Sequence, residues 1–193
     1  MSVQLEVIPT TPPKSEEDLR ESILINNNEI KKLATIIVKL TKLLLEEKMS
    51  LEEFNKISPK YDNKLQSSLE LRGLYNKKIQ EESMINIKEL ENVLEKKELI
   101  SVRKQIGDIQ DEEYDLKMAA VNWDINKINK KIEYLKKGLN LLQTLSHHIE
   151  AEDSNYINQL AQDNYKAIKN TKLDADSKKR VMSNIKAISL IIS

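Results

Sequence analysis

Stepping alternately by four and three residues from Tyr114 meets Met118, Val121, Ile125, Ile128, Ile132, Leu135, Leu139, Leu142, Ser146 and Ile149. Only Ser146 breaks the apolar row. A spacing that averages 3.5 residues keeps one stripe in register along a helix and defines the seam of a coiled coil. Lys127, Lys130, Lys131, Lys136 and Lys137 lie between the seam positions and suit a solvated flank. A chain holding such a stretch has few folds open to it, and its other segments must supply helices to cover the stripe.

Composition agrees. Charged residues make up 32% of the 193 positions and aromatics 4%, with only three Gly and four Pro. Few breakers and high charge favour long helices, and few aromatics favour thin Leu/Ile seams over one thick core. The expected fold is all-α: elongated antiparallel helical hairpins or a coiled coil, with two shorter C-terminal helices. The formal net charge is zero, so global electrostatics attracts neither nucleic acid nor an acidic membrane. The absence of cysteine excludes disulfides and thiolate metal sites and points to a reducing compartment. No leader pattern opens the chain and no apolar run approaches the ~20 residues of a membrane span. A cytoplasmic protein without a transmembrane segment is expected, with peripheral membrane contact left open.

In chain order, residues 1–15 form a flexible Pro-containing tail, in which Leu5, Val7, Ile8 and Pro9 are candidates for a short partner-binding motif. Residues 16–150 should supply three long helices in two antiparallel hairpins. The first helix carries the seam Leu19, Ile23, Asn26, Ile30, Leu33, Ile37, Leu40 and Leu44. Asn26 is either a buried register-setting residue or an exposed one in the run 26–28. Ile36, Val38, Leu43 and Leu45 lie off this seam, so one partner helix cannot cover the whole apolar surface. They are interface candidates, to be met by the C-terminal helices or by a second protomer. Ser50, with Glu53 three residues on, reads as a capping box. The second helix runs to about Ile106 through Tyr61, Leu65, Leu69, Tyr75, Ile79, Ile87, Leu90 and Leu94. Its seam slips near Lys97 and resumes at Leu99, Val102 and Ile106. Pro59 and Gly73 are its weak points. Residues 151–193 form a helical pair using Ile157, Leu160, Tyr165 and Ile168, then Val181, Ile185, Ile188 and Ile192.

The two turns match at an offset of 60: Glu47-Lys48-Met49-Ser50-Leu51-Glu52-Glu53-Phe54 and Gly107-Asp108-Ile109-Gln110-Asp111-Glu112-Glu113-Tyr114. A hairpin used twice, sharing the middle helix, accounts for this. The second turn resembles the short helical unit of the SHOCT-like type, with the pattern GxIxxEEY, found in many prokaryotic and archaeal coiled-coil proteins. Gly107, Ile109, Glu112, Glu113 and Tyr114 match, and Gln110 departs where Ser normally caps. The resemblance covers about 20 residues twice and implies a helical hairpin with oligomerising or partner-binding tendency and no chemistry. If the chain folds back at 107–110, facing residue numbers sum to about 217. Glu81 and Glu82 then face Lys136 and Lys137, Glu91 meets Lys127, and Glu21 falls near Lys77 and Lys78.

Chemistry-bearing patterns are sparse. His147 and His148 point about 100° apart on a helix and do not chelate one ion together. The sequence holds no phosphate loop, no nucleophile beside a base and no dinucleotide fingerprint. Lys178, Lys179 and Arg180, with Lys172 and Lys186, form the densest basic patch, but Asp174 and Asp176 sit beside it. Trp123 lies beside the seam as a packing residue or an interface anchor. The expectation is a non-enzymatic structural or interaction protein, without cofactor or metal. It would self-associate or scaffold protein partners through coiled-coil helices, as a homo-oligomer. The rival expectations are a component of archaeal-type cell-division or membrane-remodelling machinery, and a nucleic-acid-associated coiled coil.

Overall fold

The computed structural model describes residues 16–143, 151–169, 171 and 173–192. The candidate motif in the tail (Leu5, Val7, Ile8, Pro9), Lys172, and Ser146, His147, His148 and Ile149 lie outside the described residues, as do the side chains of Leu160, Tyr165 and Ile192. Among the described residues the fold is all-α: α1 (Glu16–Leu45), α2 (Leu51–Gln105), α3 (Asp111–Gln143), α4 (Ala151–Lys169) and α5 (Ala175–Ile192). α2 continues through both Pro59 and Gly73. The chain divides into two compact units, with the divisions inside α2 and α3. One unit holds Met1–Leu74 and Leu141–Ser193, and the other holds Tyr75–Asn140.

α1 is the centre of the first unit. Every member of its expected seam is buried, and so are Ala34, Val38 and Thr41 beside it. Two apolar groups share α1. In one, Ile30, Leu33, Ala34, Ile37 and Val38 gather with Leu65 of α2, Ile157 of α4 and Ile188 of α5. In the other, Leu40 and Leu44 meet Phe54, Ala161, Ile168, Val181 and Ile185. The C-terminal helices thus cover the apolar excess of α1, and that is why they belong to this unit. Each fully buried Ile or Leu contributes about 1.5–3 kcal/mol relative to an exposed one.

Both turns are built alike. Lys48 N–H donates to Leu43 O and Glu47 N–H to Leu44 O, while Asp108 N–H donates to Arg103 O and Gly107 N–H to Lys104 O. These are two Schellman endings, each with its left-handed residue at the same place in the offset-60 repeat: Glu47 at φ 56° and Gly107 at φ 76°. Glycine takes that conformation freely, and glutamate takes it against a steric cost. The first turn compensates with the capping box. Ser50 N–H donates to Glu53 Oε2 at 2.9 Å, and Glu53 N–H donates to Ser50 Oγ at 3.2 Å.

In the second unit, residues 75–105 of α2 and 111–140 of α3 form an antiparallel hairpin. The α3 seam is as expected. Val121, Ile128 and Leu135 are buried, and Tyr114, Met118, Ile125, Ile132 and Leu139 are half-buried. The α2 seam is not. Ile87, Leu94, Leu99, Val102 and Ile106 are exposed, and the inward row is Ile79, Asn86, Val93 and Ile100, with Leu90, Lys97 and Lys104 half-buried between them. This row keeps a strict seven-residue step and does not slip at Lys97. Lys104 Nζ lies 6.0 Å from the centre of the Tyr114 ring, which sets facing residue numbers to a sum near 218. Ile128 of the α3 seam is buried, while Ile87 and Leu94 of the expected α2 seam are exposed. The expected cross-helix charge pairs are replaced by pairs one turn apart: Lys77–Glu81, Lys78–Glu82 and Glu133–Lys137.

Two outcomes follow from this packing. In urea unfolding, Glu47→Gly should stabilise by a few tenths to about 1 kcal/mol, while Gly107→Ala should destabilise by about 1 kcal/mol. A shared sign would contradict the common turn geometry. In thermal melts followed by circular dichroism, Ile128→Asp should cost about 3–5 kcal/mol through lost burial and an unpaired buried charge. Lys130→Asp, on an exposed position, should cost under about 1 kcal/mol. Equal melting of the two variants would rule out a packed α3 seam.

Candidate interaction surface

A long helix can hold apolar residues on a second face only if something other than its hairpin partner is to cover them. α2 is such a helix. Leu99, Val102 and Ile106 follow a three–four step, and Ile85 is fourteen residues before Leu99 in the same heptad position. Leu99 is 60% exposed and Ile106 is 73% exposed. Met84, Ile87 and Leu94 extend the exposed apolar surface toward the other end of the unit. The inward row itself includes the polar Asn86, with Lys97 and Lys104 half-buried beside it. Asn86 Nδ2 donates to Glu82 O of its own helix at 2.7 Å, and Lys104 pairs with Asp111 across the turn. α2 therefore carries aliphatic residues on its outer side as well as on its inner one.

α3 has its own outer patch. Leu116 and Trp123 are seven residues apart and 75% and 64% exposed, with exposed Ala119 and Ala120 between them. Lys127 Nζ stands 5.1 Å from the centre of the Trp123 ring. Trp123 is thus an exposed aromatic, not a packing residue. The other interface candidates divide. Val38 is fully buried in the α1 core, Ile36 and Leu45 pack against the second apolar group, and only Leu43 is exposed, at the margin. The surface expected of residues 34–45 is largely occupied by α4 and α5.

Polar groups in the first unit serve packing. Asn26 is buried and donates from Nδ2 to Ser68 O at 3.0 Å, so of its two readings the buried one holds. Asn27 Nδ2 donates to Leu141 O at 2.9 Å, and Arg72 donates to Leu142 O. These two side chains tie the Leu141 and Leu142 carbonyls of α3 to α1 and α2. Burial lowers the Arg72 pKa from its ordinary value. The basic patch is partly spent in the same way. Lys178 Nζ donates to Lys169 O and Thr171 O at the end of α4. Arg180 lies 5.9 Å from the Phe54 ring centre, donates to Asn55 Oδ1 and Ser58 Oγ, and stands 3.9 Å from Asp62. Lys179 and Lys186 remain exposed. A cleft of about 400 Å³ between α4 and α5 is lined by Ala161, Gln162, Lys166, Ile185, Lys186 and Ser189.

Among the described residues no cluster of three metal-ligating side chains occurs, and no helix is long and apolar enough to cross a membrane. Comparison of the chain with models of protein families, with curated proteins and with solved structures gives no match.

Asp62 gives this unit a pH signature. Burial raises its pKa above the usual carboxylate value, opposed by the nearby Asn184 amide and the Arg180 charge. Neither carboxylate oxygen has a well-aligned hydrogen bond, so desolvation prevails. With the folded value above the unfolded one, ionising Asp62 opposes folding. Stability falls as pH rises through the carboxylate range, and the loss is complete at neutral pH. Asp62→Asn should match or exceed the parent in urea unfolding at neutral pH, and that advantage should vanish as pH falls toward 3.8. A variant equally weaker at both pH values would show that the Arg180 contact dominates instead.

Proposed function

We propose that the protein is a non-enzymatic interaction or scaffold protein whose working surface is the outer side of the α2–α3 hairpin. The observation that carries this reading is the aliphatic row Leu99, Val102 and Ile106, exposed at heptad spacing while Lys97 and Lys104 turn inward. Soluble monomers expose isolated apolar side chains commonly, but a patterned row marks a surface that another helix covers. Knobs-into-holes packing against a partner helix needs a stripe of this spacing.

The test is a triple substitution, Leu99→Glu, Val102→Glu and Ile106→Glu. The expected outcome is a thermal midpoint within a few degrees of the parent, because the positions are exposed. Self-association by sedimentation, or retention of a protein partner on the immobilised chain, should be lost. A variant that associates like the parent would sink the reading. So would one that unfolds, since the row would then be part of the fold.

A further inference from the structure

We infer that the outer patch of α3 docks antiparallel against the same patch of a second copy of this chain. The inference rests on the interaction reading above and names the occupant for one of its two faces.

The patch is Leu116, Ala119, Ala120 and Trp123, all exposed and on one side of α3. Its ends carry opposite charge. Glu112 and Glu113 precede Leu116, and Lys127 and Lys130 follow Trp123, all of them exposed. Its flank does too: Lys117 and Asp124, seven residues apart, lie along one edge. Laid antiparallel about the Ala119–Ala120 pair, Leu116 of one copy meets Trp123 of the other. Glu112 falls level with Lys127 of the second copy, and Lys117, which pairs with Glu113 of its own helix, lies about two residues (~3 Å) from the level of Asp124 of the second copy. Each of these contacts occurs twice by symmetry, so the surface is complementary to itself. A parallel arrangement would set Glu112 against Glu112, Asp124 against Asp124 and Lys127 against Lys127, which like-charge repulsion disfavours. The small residues at the centre allow the two helix backbones to approach, and the large ones at either end fill the space beside them.

The size of the patch sets the strength. Leu116 and Trp123 offer on the order of 100 Å² of apolar surface each, and two copies together stay below the ~1,200 Å² of a standard interface. The dimer is therefore reversible and concentration-dependent. This suits a chain whose α2 row provides a second, separate contact.

Trp123 is the only tryptophan in the chain, so it reports on the contact directly. Intact protein is followed from low micromolar to millimolar concentration by tryptophan emission, iodide quenching and sedimentation equilibrium. The expected result is a shift of emission to shorter wavelength and reduced quenching, in step with dimer mass. Leu116→Asp should weaken the dimer about tenfold or more with helicity unchanged by circular dichroism. Lys117→Asp should weaken it several-fold, and adding Asp124→Lys to it should restore the parent value. Unchanged emission and a monomer mass throughout overturn the inference. Self-association with Trp123 equally quenchable, and no recovery in the double variant, also overturns it. That second result leaves the broader reading in place, because the α2 row would then hold the contact and the Leu99/Val102/Ile106 variant would abolish it.

Discussion

The first unit depends on one constraint: α1 is apolar around much of its circumference, and water must be kept from most of it. Ile23, Ile30, Leu33 and Val38 have essentially no solvent exposure. One antiparallel neighbour covers a single stripe of a helix, so α2 alone cannot do this. α4 and α5 close the remaining side. The polar contacts arrange what burial drives. Asn26 fixes the level of α1 against α2, Asn27 and Arg72 bond the Leu141 and Leu142 carbonyls of α3, and Lys178 and Arg180 seat α5. Each is modest in net energy, about 0.5–1.5 kcal/mol for an ordinary hydrogen bond. Each would be costly to leave unmade in a buried position.

Much of this was legible in the sequence. The α1 seam from Leu19 to Leu44 and the α3 seam through Leu142 were read member by member, because nearly every position in them is apolar and the step is unbroken. Helix ends followed from Ser50 and Gly107, whose local chemistry leaves few alternatives. The α2 seam was misread for a physical reason. Its outer face is as apolar as its inner one, so hydrophobicity pointed to Leu94, Leu99 and Val102. The step that survives in the structure, Ile79–Asn86–Val93–Ile100, contains a polar residue, and polarity hid it. Whether α4 and α5 or a second protomer would cover Ile36, Val38 and Leu45 was not decidable from pattern alone, since both supply the same apolar stripe.

The charge pairs follow a related rule. Lysine and glutamate one helical turn apart meet without any further ordering of the chain, whereas cross-helix partners meet only once the hairpin is formed. Local pairs therefore consumed Lys77, Lys78 and Lys137. The exposed ion pairs contribute little to stability, ~0.2–1 kcal/mol each. At the second turn, Arg103–Asp108 and Lys104–Asp111 tie the end of α2 to the start of α3.

Those two ties have a consequence for how the hairpin chooses its core. Turning α2 half a revolution about its own axis would bring Leu99, Val102 and Ile106 against α3 and send Lys97 and Lys104 to water. That setting would in turn expose Ile79, Val93 and Ile100, which the observed one covers. What favours the observed rotation locally is Gly107, which sets the direction in which the chain leaves α2, with the Arg103–Asp108 and Lys104–Asp111 pairs beside it at the last turn of that helix. The short turn thus adds a local bias toward the rotation that also packs Val93 and Ile100 against α3.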